Sequence, residues 1–148
     1  MKKAIAAVTA LLILLTMIPL SASAARTGPI EVYIDGKFQP YDQPPVQKDG
    51  YTFVPLRGIF ESLGAKLELN GNTIRAVKGN TVIEHTIGEK TAIINGQSTT
   101  LAMPSLVING RTLVPLRFVS EALGAQVEWS SFHRIVYVGT TDRNKLPL

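Results

Sequence analysis

The sequence predicts an α+β fold that is rich in β-strands and built as a tandem repeat, each unit having hairpin strands and one short α-helix packed on a sheet. Three observations predict it. Residues 30–79 align with residues 90–139 without a gap, and 15 of the 50 aligned positions are identical, where average composition gives roughly three. Asp–Gly and Asn–Gly pairs, which favour tight hairpin turns, occur at matching places in both copies. One segment of each copy changes from alternation to helical spacing.

The elements follow in the same order in both copies. "IEVYI" (30–34) and "TAIIN" (91–95) favour strands and run into the first Asp/Asn–Gly pair; a second pair precedes "YTFV" and "RTLV". After the helical segment, alternation predicts further strands. "TVIEHTI", within 80–89, predicts a strand between the copies. We therefore divide the chain into repeat unit 1 (30–79), a bridging strand (80–89) and repeat unit 2 (90–139).

The helical segments carry matching start and stop signals. Pro55 and Pro115 suit the first helical position, where a missing N–H costs nothing, and Gly64 and Gly124 suit the position just beyond the helix end. A helix of under a dozen residues is not stable alone in water, so we expect its apolar side to pack on a sheet. The apolar residues at helical spacing are Leu56, Ile59, Phe60 and Leu63, then Leu116, Val119 and Leu123.

The chain ends differ from the repeats. Residues 1–24 have a positive start, an apolar run shorter than the roughly 20 residues needed to span a bilayer, and small residues at Ala22-Ser23-Ala24. This pattern is typical of a secretory signal peptide, and a membrane anchor is the weaker interpretation. Residues 140–148 form a short polar tail. We expect no membrane span after the signal is removed.

Charge and cysteine content exclude some classes of protein. Lys2 and Lys3 belong to the signal, so 13 of the 15 basic residues remain against 11 acidic residues. This near balance, without a Lys or Arg run, argues against a nucleic-acid binder. The chain has no cysteine, so no disulfide supports the exported fold and no cysteine nucleophile exists.

Both copies place an arginine and a glutamate four residues apart on the helix: Arg57 with Glu61, and Arg117 with Glu121. Such pairs share a helix face. One interpretation is a guanidinium held ready for a carboxylate or phosphate. The other, which we favour, is a buried arginine that ties the helix to strand carbonyls. A catalytic site rarely needs two copies of every part, so we interpret all eight shared proline, arginine, glutamate and glycine positions as architectural.

The stretch "NGRTLVPLRFVSEALGAQVEW" (109–129) resembles the signature of the copper amine oxidase N-terminal-like domain, also called the stalk domain. The likeness covers nearly all of the mature chain as two tandem units, although Leu69 of the first stands where the second has Trp129. The resemblance implies a secreted bacterial module, often appended to wall-associated or exported proteins. It implies no chemistry, because that name comes from an accessory domain and not from the copper centre.

The residues predict neither catalysis nor a metal site or cofactor. An amine oxidase needs three histidine ligands, and the chain has only His85 and His133. We expect His85 on the exposed face of a strand and His133 in solvent. No G-x-S-x-G or phosphate-binding glycine loop is present, and nothing indicates a Ser/His pair, though none is excluded. Paired glutamates of glycosidase type stay open.

Four aromatic residues differ between the copies, so the shared shape does not require them: Phe38, Tyr41, Tyr51 and Phe132. They form a candidate binding surface for sugars or a protein partner; the alternative is that they cover the ends of the core. Trp129 is predicted to be a core residue.

We therefore expect a secreted, non-catalytic binding or scaffolding module, extracellular or associated with the bacterial cell wall. Its expected partner is a cell-wall polymer or an extracellular protein, and an exposed edge strand leaves a homo-oligomer open. One alternative is a secreted inhibitor of an extracellular enzyme such as a protease, which presents the segments around Pro44-Pro45 and Pro104. A second is a glycan-acting enzyme that uses glutamates such as Glu61 and Glu121.

Overall fold

Strands dominate the computed structural model, which describes residues 27–140. Within that range the prediction of a β-rich chain with few helices is confirmed. The predicted signal peptide and all but the first residue of the predicted tail lie outside the described residues. In chain order the elements are β1 (Glu31–Ile34), β2 (Lys37–Phe38), β3 (Val46–Lys48), β4 (Tyr51–Pro55), α1 (Leu56–Ser62), β5 (Lys66–Asn70), β6 (Thr73–Lys78), β7 (Thr81–Thr86), β8 (Thr91–Ile94), β9 (Gln97–Thr100), β10 (Leu106–Ile108), β11 (Arg111–Pro115), α2 (Leu116–Leu123), β12 (Gln126–Ser130) and β13 (Ile135–Gly139).

Neither described helix is long and apolar enough to cross a membrane.

Four of the hairpins turn at the predicted Asp–Gly and Asn–Gly pairs. Both residues of each pair have positive φ, for example 47° at Asp35 and 79° at Gly36. These are type I′ turns, whose twist matches that of the flanking strands. The pairs are Asp35–Gly36, Asp49–Gly50, Asn95–Gly96 and Asn109–Gly110.

The strands form three sheets, which we name terminal, central and bridging. The terminal sheet has the order β12-β13-β1-β2, with β1 parallel to β13. The central sheet has the order β10-β11-β4-β3, and the bridging sheet has the order β5-β6-β7-β8-β9. Every sheet thus combines strands from before and after residue 80, so the two halves cannot separate without breaking all three.

The middle of the central sheet holds the halves together. Val54 of β4 lies opposite Val114 of β11, and both are fully buried. On either side of this pair, Phe53 lies opposite Pro115 and Pro55 lies opposite Leu113. These two pairs are symmetric, because Leu113 is the repeat counterpart of Phe53 and Pro115 is the counterpart of Pro55. Both helices contact β4 and β11. They bury their predicted apolar residues there, apart from Leu123, which is half-buried.

The helix ends match the sequence with one shift. The sequence predicts that Pro55 and Pro115 are the first helical residues. In the structure each is instead the N-cap residue, one position before the helix begins. Each proline also ends its strand, so the strand continues directly into the helix. Gly64 has φ 84° and donates its N–H to the Glu61 carbonyl at 2.9 Å, while the next N–H, of Ala65, reaches back to the Phe60 carbonyl at 2.9 Å. These two hydrogen bonds together form the Schellman motif that closes a helix.

The gapless alignment is wrong in the last strand of each half. Leu67 lies opposite Ala76 in the β5–β6 hairpin, and its counterpart Val127 lies opposite Val138. The offset is therefore 62 residues in β6 and β13, not sixty. The reason is a longer loop, because Ser130 pairs with Ile135 where the first hairpin closes through a two-residue turn.

Trp129 is not the core residue that the sequence predicts. It is half-buried and packs against the edge of the core, and its counterpart Leu69 is exposed. The core itself lies between the helices and the sheets. At its centre the rings of Phe60 and Phe118, one from each helix, have centroids 6.4 Å apart.

Candidate functional site

A cleft of about 550 Å³ lies beside α1. Apolar side chains of Leu56, Leu67 and Ile74 contribute to its lining. Charged side chains from both halves stand around it, among them Arg57 and Arg111. Its size and mixed character are those of a small-molecule or peptide site.

Tyr41 forms one wall of the cleft by lying over Gly58 of α1. A Cβ atom placed on Gly58 would be 2.7 Å from the tyrosine ring, so only glycine permits this packing. The Tyr41 hydroxyl donates to Ser62 Oγ at 3.3 Å. Partial burial raises the pKa of Tyr41, against the opposing effect of the Ser62 hydrogen bond. The Tyr41 ring is therefore held in place at the side of the cleft. Its hydroxyl stays protonated at neutral pH.

Asp42 and Arg111 join the two halves at the rim. Arg111 donates Nε to Asp42 Oδ2 at 2.8 Å and also donates Nη2 to the same oxygen. The hydrogen bond from Arg111 lowers the pKa of Asp42. Beside them, Asn109 donates Nδ2 to the buried Gln43 at 3.1 Å. The segment between β2 and β3 is therefore held against the β10–β11 turn.

Arg57 and Glu61 are exposed, which contradicts the expected buried arginine. Their side chains are 64% and 53% accessible, and a single contact of 3.4 Å joins Arg57 Nη1 to Glu61 Oε1. Such surface pairs contribute only about 0–1 kcal/mol. Glu61 therefore holds the Arg57 guanidinium only weakly. Arg117 and Glu121 are exposed as well.

A smaller cavity of about 340 Å³ occupies the matching place beside α2. Its lining includes Leu101, Ala102 and Phe118, which stand sixty residues after Tyr41, Asp42 and Gly58. Phe118 fills space inward, with its ring 6.0 Å from that of His85. The two halves thus place different residues around equivalent helix faces, and the larger space lies beside α1.

The four predicted binding aromatics do not come together. Tyr41 lines the cleft; Phe38 and Tyr51 lie in strands of different sheets, and Phe132 lies in the β12–β13 loop against His133. Asp42 and Gly58 were not predicted from the sequence as parts of the cleft. The signal was present, because both differ from their counterparts Ala102 and Phe118 in the repeat alignment.

His85 is buried, so the prediction of an exposed histidine is wrong. It shares a strand face with the buried Ile83, and only 2% of it is accessible. Its Nδ1 lies 2.9 Å from the Thr91 carbonyl oxygen, and its Nε2 lies 2.9 Å from Ser105 Oγ. Burial lowers the pKa of His85, against the Thr91 hydrogen bond and the charge of Glu89. His133 is exposed, as expected.

The His85–Ser105 contact has the length of a nucleophile–base pair but not its surroundings. Neither residue lines a described cavity, and Ser105 is also buried. The Ser105 oxygen accepts the Gly88 N–H at 2.8 Å, which leaves its own proton for His85 Nε2. Nδ1 then donates to the Thr91 carbonyl. Every polar atom is paired, so the pair stabilises the neutral ring within the core.

The glutamates offered for glycan chemistry are not arranged as a catalytic pair. Glu61 lines the larger cavity and Glu121 the smaller one. Within the larger cavity Glu61 is paired with Arg57, and Glu68 lies 3.7 Å from Arg75. A general acid needs a carboxyl held protonated by an apolar site, and these carboxyls lie beside cations. Among residues 27–140 no group of three potential ligands is placed to hold a metal ion.

The described residues thus form a β-rich fold with a concave face beside α1. The family model for the copper amine oxidase N-terminal domain matches residues 33–138, and the chain belongs to that family. In copper amine oxidase this domain is a non-catalytic stalk. No curated protein was found to match the chain.

Proposed function

We propose that this protein is an exported, non-catalytic module that binds peptidoglycan in the bacterial cell wall, and that the cleft beside α1 holds the ligand. The leader at residues 1–24 supports export. The family supports an accessory role. The two units, 30–79 and 90–139 with 80–89 between them, act as a scaffold that presents one specialised face.

The single observation that carries this proposal is the difference between the two matching cavities. Equivalent positions that serve only the fold have no reason to differ in size and charge. Beside α1, however, glycine and tyrosine stand in place of phenylalanine and leucine, and Asp42 stands in place of an alanine. The cavity beside α1 is therefore the larger of the two, about 550 Å³ against about 340 Å³, and it has the aromatic wall of Tyr41 and the carboxylate of Asp42 that the other lacks.

The chemistry of the cleft fits the short peptides of peptidoglycan. Arg57 is a forked donor for a terminal carboxylate. Glu61 and Glu68 are acceptors for an ammonium group, and Leu67 and Ile74 contact methyl groups. A peptide stem of small and diamino residues carries all three features. A protein or a second copy of the chain is not needed to complete the site.

No observation favours an inhibitor. The segment that contains Pro44 and Pro45 does not project, because Gln43 and Pro45 are buried and Asp42 is tied to Arg111. An inhibitory loop must reach into a partner's active site, and this one is held against its own fold.

The charge reversal Arg57→Glu tests the cleft. The wild-type protein is expected to sediment with purified peptidoglycan sacculi. The variant should bind at least tenfold less, equivalent to about 1.4 kcal/mol, because it replaces the carboxylate donor with a like charge. Arg117→Glu, the same change beside α2, is the matched control and should bind as wild type does. If the wild-type protein stays in the supernatant, wall binding is excluded; equal loss in both variants excludes the cleft.

A further inference from the structure

The outward face of the terminal sheet carries a row of three aromatic side chains. Tyr33 of β1 is aligned with Tyr137 of β13 on one side and with Phe38 of β2 on the other. The ring centroids are 6.0 Å and 5.6 Å apart. Phe38 is 51% exposed and Tyr137 is 41% exposed. The row therefore runs across three adjacent strands, at right angles to them, and faces solvent.

The rest of the sheet explains why the rings point outward. Strand residues alternate between faces, and the neighbours of the rings, among them Val32, Ile34, Val136 and Val138, are buried in the core. The core is complete without the aromatic side chains. In the bridging sheet, the counterpart of Tyr33 is Ile93 and that of Phe38 is Ser98. The counterpart of Tyr137, at the offset of 62 residues, is Arg75.

The matching face of the bridging sheet shows that the fold does not require such a row. There Arg75 lies 3.7 Å from Glu68 and 3.9 Å from Glu84, which makes a charged ladder. The position equivalent to Tyr137 thus carries an ion-paired arginine in the bridging sheet, where the additional strand β7 lies between the counterparts of β13 and β1. Exposed aromatic clusters of this kind mark interaction sites.

The area of the aromatic row and the charge beside it indicate which kind of ligand this face fits. A buried aromatic side chain covers about 150–250 Å², so three half-exposed rings offer roughly 300 Å², well below the about 800 Å² that each partner contributes to a stable protein interface. The Tyr33 hydroxyl donates to the Glu31 carboxylate at 3.1 Å, which puts a negative charge beside the rings. That charge disfavours a phosphate polymer, whose bases would otherwise stack on such rings.

We propose that Tyr33, Phe38 and Tyr137 form a stacking surface for the sugar rings of a peptidoglycan glycan strand, a site separate from the cleft. A pyranose ring has an apolar C–H face that packs on an aromatic ring, and hydroxyls at its edge. The Glu31 carboxylate and the two tyrosine hydroxyls are available to hydrogen-bond those hydroxyls. An extended chain laid along the row meets one ring after another. The inference rests on the proposed function, and it assigns the sugar part of the polymer to a second face.

The test uses peptidoglycan whose stem peptides have been removed by an amidase, so that only glycan strands remain. The purified protein is expected to bind these strands. The double variant Tyr33→Thr/Tyr137→Thr, which keeps strand-favouring residues, should bind at least tenfold more weakly, with an unchanged urea midpoint. Tyr33→Phe/Tyr137→Phe keeps the rings and should retain most of the binding. Tyr51→Thr removes an exposed aromatic of the central sheet and should change nothing.

Several outcomes would overturn the proposal. They are absence of wild-type binding to the strands, binding by the threonine variant equal to wild type, and a change of oligomeric state in that variant, which would make the row a contact between copies. If the threonine variant loses its folded transition, Phe38→Ala at the edge of the row replaces it, with the same tenfold expectation. Retention on intact sacculi that is lost only in Arg57→Glu would leave the proposed function standing without the glycan surface.

Discussion

Replacing Phe60 with alanine is expected to lower the free energy of unfolding by about 3–5 kcal/mol, the range for truncating a buried phenylalanine. Phe60 is almost completely buried in α1 and its ring contacts that of Phe118 in α2. The cavity would open where the two halves meet, above β4 and β11. Because each sheet also contains strands of both halves, we expect one cooperative transition at a lower denaturant midpoint. Urea unfolding followed by Trp129 fluorescence and by far-UV circular dichroism measures both.

Phe132→Ala is the matched control, because this phenylalanine is 65% exposed in the β12–β13 loop. A change within about 0.5 kcal/mol is expected. Two separated transitions in the wild-type protein, or a Phe60→Ala variant that loses only one of them, would show that the halves fold independently and would contradict the shared core.

The second large effect is expected at His85. His85→Ala should cost about 2–4 kcal/mol at pH 7.5, because it leaves a cavity and removes hydrogen bonds from the Thr91 carbonyl and Ser105. The wild-type protein should also lose stability in acid. The pKa of His85 in the folded protein lies below its value of about 6.5 in the unfolded chain. At a pH between these two values only the unfolded chain takes up the proton. Stability is therefore full above pH ~6.5 and falls as the pH drops through the folded pKa.

Urea unfolding at several pH values between 7.5 and 4.5 checks both statements. His85→Ala should lack this part of the acid slope, whereas His133→Ala should keep the wild-type slope, since His133 is exposed. An acid slope unchanged in His85→Ala would mean that other groups titrate in this range, and a neutral effect at pH 7.5 would show that the buried pair does not support the fold.

Much of the local structure could be predicted from residue patterns because its causes are local. Positive φ at an Asn–Gly pair, a glycine after a helix and apolar residues at helical spacing act within a few residues. The predicted hairpin turns and the apolar faces of both helices therefore lie where expected. The position of Pro55 differs by one residue, because whether a proline ends a strand or starts a helix depends on its partner across the sheet, Leu113.

The site was harder to predict, because its parts lie far apart in sequence. Asp42 and Arg111 are 69 residues apart, and Tyr33 and Tyr137 become neighbours only because β1 pairs with β13. His85 was misplaced because a titratable residue normally favours solvent. Its two ring nitrogens find partners at Thr91 and Ser105 that a strand pattern cannot reveal.

The order of elements, the turns and the family likeness thus follow from the chain alone, since each depends on neighbouring residues or on repetition. Which strands share a sheet, which helix face stays open and which aromatic side chains form a row depend on tertiary pairing. Close packing and strand register bring distant residues together, and a difference as small as Gly58 against Phe118 then contributes to making one of two similar cavities larger than the other.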